Sequence, residues 1–97
     1  MTDLVFEWNT QKEAVNAAKH GVTFSEAQSA FTDEFARLIP DPEHSEDEDR
    51  FILLGMSFRS RLLVVCHCVR SAERIRVISA RKATRQERII YEDFRHA

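Results

Sequence analysis

The sequence predicts an α+β fold, an antiparallel sheet with helices packed on it, in the order β-α-α-β-β-β-β-α. Three observations predict it. Residues 50–80 hold three β-like apolar segments separated by gaps of hairpin length. Three cap signals built on Asn or Thr each open a helical pattern. The 97 residues carry no internal repeat and suffice for one modest core, so the whole chain, 1–97, reads as one domain.

The first strand is Leu4 to Trp8, with Leu4, Phe6 and Trp8 on one face. Asn9 and Thr10 are both good caps. Thr10 with Glu13 would form a capping box, whereas Asn9 would start the helix one residue earlier. Gly21 ends this helix, with Lys19 and His20 in its last turn, where positive charge suits the dipole. Thr23 and Glu26 read as a second capping box with Val22 and Ala27 as its staple, and Phe24, Ala27 and Phe31 form a buried stripe. Phe35 to Ile39 reads as a short strand stopped by Pro40. Residues 41–49 hold six acids and read as a solvated loop. The expected meander is Arg50–Phe58, Arg61–Val69 and Arg74–Ala80. Its middle strand is apolar on both faces apart from His67, hence central. Thr84 and Glu87 form a third capping box and open a helix to about Arg95, with Ile90 and Phe94 on one stripe.

Composition excludes several classes. A chain that is 43% hydrophobic and 31% charged is globular rather than disordered. No apolar run is long enough to span a bilayer. Met1-Thr2-Asp3 lacks the basic-then-apolar start of a signal peptide, which places the protein in the cytoplasm as an expectation. Cys66 and Cys68 stand at i, i+2 on a strand, poor geometry for a disulfide, and read as free thiols. His67 points away from both, so no metal site is expected, and no cofactor. The net charge of −2 hides an asymmetry. Residues 1–49 carry three cations and twelve acids, whereas residues 50–97 carry eleven cations, ten of them arginine, and four acids. The basic half either attracts a polyanion or is neutralised by the acidic half on folding.

The sequence has no phosphate loop, nucleophile elbow or HExxH motif. It does have cations, histidines and a tyrosine. RNA can be cleaved with those alone, because the ribose 2′-oxygen is the nucleophile. A base takes its proton, cations stabilise charge on the phosphate oxygens, and an acid protonates the leaving 5′-oxygen. His67 is the candidate acid or base, although a mid-strand histidine among apolar residues reads first as a satisfied core histidine. Arg76 projects from the face opposite Ile75 and Val77, either to phosphate or to solvent. Arg81, Lys82, Arg85 and Arg88 cluster where the last strand feeds the last helix, whose N-terminus suits phosphate. Lys12, Lys19 and His20 on the first helix are further RNA-binding candidates. Tyr91 either joins the core or presents its hydroxyl to substrate, and Glu87 already has a capping role.

The pattern is similar to a known family. It opens with Phe6-Glu7-Trp8-Asn9, Lys12 and Asn16, then Lys19-His20-Gly21-Val22 and Phe24-Ser25-Glu26-Ala27. Phe31, Asp33, Asp41, Glu48-Asp49-Arg50 and Gly55 follow. It closes with Arg61-Leu62-Leu63-Val64-Val65, Arg74 to Ala83, Glu87-Arg88 and Tyr91-Glu92. The chain resembles the BrnT toxins of type II toxin–antitoxin systems almost end to end. Asn9 and Thr10 depart from the Asp and Pro usual there, and both keep helix-start chemistry. The resemblance implies a RelE-like fold and a metal-independent endoribonuclease that inhibits translation. It also implies a BrnA-type antitoxin with a DNA-binding portion. The hetero-oligomer would have toxins flanking an antitoxin dimer and would repress its own operon, so the toxin would meet DNA only through its partner and would meet no membrane. Within that expectation His67 serves as acid or base, Arg76 and Arg81 bind phosphate, and Lys19, His20 and Tyr91 support them. The competing reading is a non-catalytic RNA- or protein-binding module.

Overall fold

Strand and helix signals fall where local chemistry puts them. The computed structural model of the chain describes residues 4–41 and 50–96, so residues 42–49 of the acidic run lie outside the described residues. The elements are β1 (Val5–Glu7), α1 (Thr10–His20), α2 (Phe24–Ser29), a single 3-10 turn (Ala30–Thr32), β2 (Arg37–Pro40), β3 (Arg50–Met56), β4 (Leu62–Val69), β5 (Arg74–Lys82) and α3 (Arg85–Arg95). The five strands form one sheet in the order β1-β5-β4-β3-β2. Pairings β2–β3, β3–β4 and β4–β5 are antiparallel, as expected of a meander, and β4 is central. The sheet is nevertheless mixed. β1 runs parallel to β5, with Val5, Phe6 and Glu7 opposite Arg74, Ile75 and Arg76. Parallel neighbours need a long connection, and here residues 8–73 intervene between the two.

Asn9, not Thr10, caps α1: its side chain accepts from the Lys12 N–H at 3.0 Å. Gly21 takes the left-handed conformation at φ 69° and its N–H closes on the Ala17 carbonyl at 2.8 Å. The Thr23 cap forms only half of its expected box. Thr23 Oγ1 accepts from the Glu26 N–H, but the Glu26 carboxylate turns to Arg61 and Ser57 instead. The box at Thr84 and Glu87 is complete.

Helices cover both faces. On one, Val22, Phe24, Ala27 and Ala30 pack on Leu53, Leu63, Val65, Val77 and Ala80. On the other, Tyr91 of α3 packs on Leu54, Leu62 and Val64. The stripe expected on α3 is only partly buried, since Ile90 and Phe94 stay 43% and 47% exposed. Asn16 ties α1 to the sheet. Its Nδ2 donates to the Val22 and Ala80 carbonyls, and its Oδ1 accepts from the Ala80 N–H.

Gly55 marks the closest approach between layers. A Cβ there would stand 2.8 Å from the Ala30 carbonyl oxygen, a backbone atom that cannot swing aside. Gly55→Ala is therefore expected to cost about 1–3 kcal/mol. It should lower the urea midpoint with the slope unchanged.

Candidate functional site

The parallel pairing of β1 with β5 builds the most polar cleft described. It sets Glu7 beside Arg76, and the chain then turns through Trp8 and Asn9 into α1. Glu7, Trp8, Asn9, Lys12, Arg76, Val77 and Ile78 line a cleft of about 290 Å³. Glu7 lies between two guanidinium groups, with Arg76 Nη2 at 3.2 Å and Arg74 Nη1 at 3.6 Å. The hydrogen bond from Arg76 holds the Glu7 carboxyl below its ordinary range, with the charges of Arg76, Arg74 and Arg70 acting in the same direction. The carboxylate is thus ionised at neutral pH, and the two cations that line the cleft with it, Lys12 and Arg76, outnumber it.

A bulge in β5 orients the rest of that strand. Cys66 pairs with Ser79 but His67 pairs with Val77, so Ile78 is the extra residue. Strict alternation would put Arg76 and Arg81 on opposite faces. With the bulge, Arg76 lies opposite Cys68 and Arg81 opposite Val64, on one face. They nonetheless do different things. Arg81 forms a two-pronged pair with Glu87, at 2.8 and 2.9 Å, which joins the end of β5 to the first turn of α3. That bond holds the Glu87 carboxyl down at about 2 and raises Arg81.

Of the two readings of His67, the geometry matches the satisfied core histidine. It is 1% exposed, and its Nδ1 lies 3.2 Å from the Val65 carbonyl. Phe31 meets the ring edge-on at 4.8 Å and Phe51 stacks on it at 6.1 Å. Burial lowers its pKa, which favours the neutral ring. Tyr91 is also buried, and its hydroxyl donates to Asp33 at 2.6 Å. Burial and that bond push it up to about 12. Asp33 also accepts from the Phe35 and Met56 N–H groups. Tyr91→Phe is accordingly expected to cost about 1.5–3 kcal/mol, as loss of a bond to a charged acceptor. Thermal melts check the cost.

The remaining candidates do not converge on the cleft. Lys19 and His20 lie at the far end of α1, about 10 Å along its axis from Lys12. There Arg61 docks on the Gly21 carbonyl at 3.0 Å. Lys82, Arg85 and Arg88 are exposed around the start of α3. Thus the structure brings together Lys12 and Arg76 and adds Glu7 and Trp8, which the sequence reading passed over. The available signal for Glu7 was its place one residue before Trp8 on a strand; its partner strand is not encoded locally. Both cysteines are thiols, and Cys66 Sγ lies 3.7 Å from Asp41. Burial beside that carboxylate raises the Cys66 thiol pKa. The acidic and basic halves do partly neutralise each other, through Glu7 with Arg74 and Arg76, and Glu26 with Arg59 and Arg61.

With a mixed sheet between two helical layers, the molecule has an α+β fold similar to that of the ribonuclease toxin BrnT of Brucella abortus. That crystal structure is similar with a TM-score of 0.64 at 23% identity, covering 88% of this chain and 100% of that one, a likeness of fold. The family described as "Ribonuclease toxin, BrnT, of type II toxin-antitoxin system" matches residues 8–87, and the chain belongs to it. Comparison with curated proteins gives no sequence match. Among the described residues, no helix is long and apolar enough to cross a membrane.

Proposed function

We propose that the protein cleaves RNA at the cleft between β1, β5 and the start of α1, without a metal ion. The observation that carries the site is the convergence of Arg76, Lys12 and Glu7 on one cleft. Family membership supplies the ribonuclease reading. Arg76 and Lys12 bind the scissile phosphate and stabilise the charge that builds as the 2′-oxygen attacks. The start of α1 adds its positive end to the same place. Glu7 is the ionised acceptor within the cleft for the 2′-hydroxyl proton. As the 2′-oxygen closes on phosphorus the bond to the 5′-oxygen breaks, and that oxygen takes its proton from water or from the Glu7 carboxyl that has just been protonated. His67 and Tyr91 serve the core, and Arg81 holds α3 to the sheet. Lys82, Arg85, Arg88, Lys19 and His20 extend an electrostatic track for the rest of the strand.

Cleavage of mixed RNA by the purified protein in excess EDTA tests this directly. Metal-dependent cleavage would overturn the metal-free chemistry, and no cleavage in either condition would favour a binding module. Arg76→Ala is expected to lose about a hundred-fold in cleavage rate, as for one preorganised donor removed. Arg74→Ala removes an equal charge beside Glu7 but none lining the cleft, and should cost less than about ten-fold. Equal losses in the two variants would count against the site.

The family's wider setting belongs to the same proposal. The protein has a RelE-like architecture, inhibits translation in the cytoplasm, and is neutralised by a BrnA-type antitoxin in a hetero-oligomer. Copurification of a tagged toxin with its neighbouring gene product checks the partner.

A further inference from the structure

We infer that Trp8 is the platform on which one nucleobase of the RNA stacks beside the cleaved phosphate. The inference rests on the proposed ribonuclease site and names what that site holds besides phosphate. Trp8 lines the same cleft as Arg76 and Lys12, so an aromatic ring and two phosphate-binding cations share one space of about 290 Å³. That is the small end of the range for ligand sites and suits a single nucleotide. A strand of RNA alternates charged phosphates with flat bases, and ribonucleoprotein sites answer it with cations beside aromatic rings.

The indole is held for that task. Phe24 meets it edge-on, with centroids 6.1 Å apart and planes at 79°. Phe24 itself is fully buried between α1, α2 and the sheet, and its N–H donates to Glu13 at 3.0 Å. One side of the indole is thereby braced by the core while Trp8 as a whole stays half-buried at the cleft wall. A ring fixed in this way loses little side-chain freedom when a base lands on it. Trp8 also sits between the strand that carries Glu7 and the helix that carries Lys12. A base stacked there fixes its own phosphate and sugar near both. Trp8 therefore positions substrate and contributes to which bases are preferred at the cut.

The chain has one tryptophan, so its fluorescence reports this ring alone. The intact protein is titrated with a 2′-O-methyl RNA hexamer, which lacks the nucleophile and stays whole. A parallel titration uses an abasic hexamer of equal charge. Saturable quenching by the first and not the second is expected. Trp8→Leu should raise KM for RNA about ten-fold with kcat nearly unchanged, and Trp8→Phe, which keeps a π face, should raise it less. Identical fluorescence responses to the two hexamers, with RNA still cleaved by the wild type, would overturn the stacking role and leave the ribonuclease reading standing. Base-dependent quenching without any cleavage would support the platform and remove the ribonuclease reading. If Trp8→Leu fails to fold, the wild-type titrations decide alone.

Discussion

Asn16→Ala is expected to destabilise the fold by about 3–5 kcal/mol, a large share of the roughly 5–15 kcal/mol that holds a domain together. Asn16 is 7% exposed and occupies the interface between α1 and β5. Its amide satisfies three backbone groups: the carbonyls of Val22 and Ala80 at 2.9 and 2.8 Å, and the Ala80 N–H at 3.1 Å. Truncation leaves all three without that partner in a place water reaches poorly, and each such group costs about 1–3 kcal/mol. A comparison of charge sharpens the test. Asn16→Asp keeps an acceptor for the Ala80 N–H but aims a carboxylate at two carbonyl oxygens. At neutral pH it should be less stable than Asn16→Ala. Its folded state would raise the carboxyl pKa and bind more protons than the unfolded chain, so its stability should fall as pH rises through 4 to 7. Urea titrations of both variants across that range give the result. Equal stability of wild type and Asn16→Ala would sink the claim that this amide joins the helix to the sheet.

Asn16 also shows what the sequence could and could not disclose. Its place within a helix, one turn before a glycine stop, is legible. That it bonds to Ala80 is not, because the two are 64 positions apart. The same division runs through the fold. Gly21, the Thr84–Glu87 box and the apolar run from Leu62 to Val69 each carry a local physical cause, and each appears where that cause puts it. Pairing of β1 depends on which edge is open after the meander forms. Nothing within Val5–Glu7 specifies a parallel neighbour. The bulge at Ile78 shows in the sequence only as a break in alternation, two apolar residues together at Val77 and Ile78, which a strand buried on both faces would also give. Yet it decides which arginines share a face.

The candidate site was legible to the same degree. Arg76 follows from alternation on a strand, and Lys12 from a basic residue in a first turn. Their meeting in one cleft requires the parallel pair. His67 and Tyr91 drew attention through chemistry that they have in isolation; both are buried, His67 against Phe31 and Tyr91 with its hydroxyl on Asp33. Many residues of the family pattern are similarly architectural: Asn16, Gly21, Glu26, Asp33, Gly55 and Arg61 each fix one element against another. Motif residues in so small a domain are spent largely on holding layers together. Glu7 and Trp8 belong to that pattern too, and they line the cleft.

Glu26→Ala should cost a further large amount, about 3 kcal/mol, and should do so by stranding its partners. Glu26 is 2% exposed. Arg61 grips both carboxylate oxygens, with Nε at 2.9 Å from Oε2 and Nη2 on Oε1. The Ser57 hydroxyl donates to Oε2 at 2.7 Å, and the same Ser57 oxygen accepts from the Arg59 N–H. Breaking a buried pair by removing one member costs more than replacing both, because a charge and a hydroxyl lose their partners. The paired replacement Glu26→Met with Arg61→Met should therefore recover most of the loss. Additive losses would overturn this account. The pair also predicts a pH dependence of definite sign. The Arg61 hydrogen bond holds the Glu26 carboxyl below its ordinary value of 4.5. Between the folded and unfolded values the unfolded chain binds more protons, so the pair's contribution is present above about 4.5 and fades as pH falls through the folded value. Asp33 and Glu87 titrate in the same direction and steepen the acid limb of the wild type. They remain in the double methionine variant, so its shallower loss of stability below pH 4.5 isolates Glu26 from them.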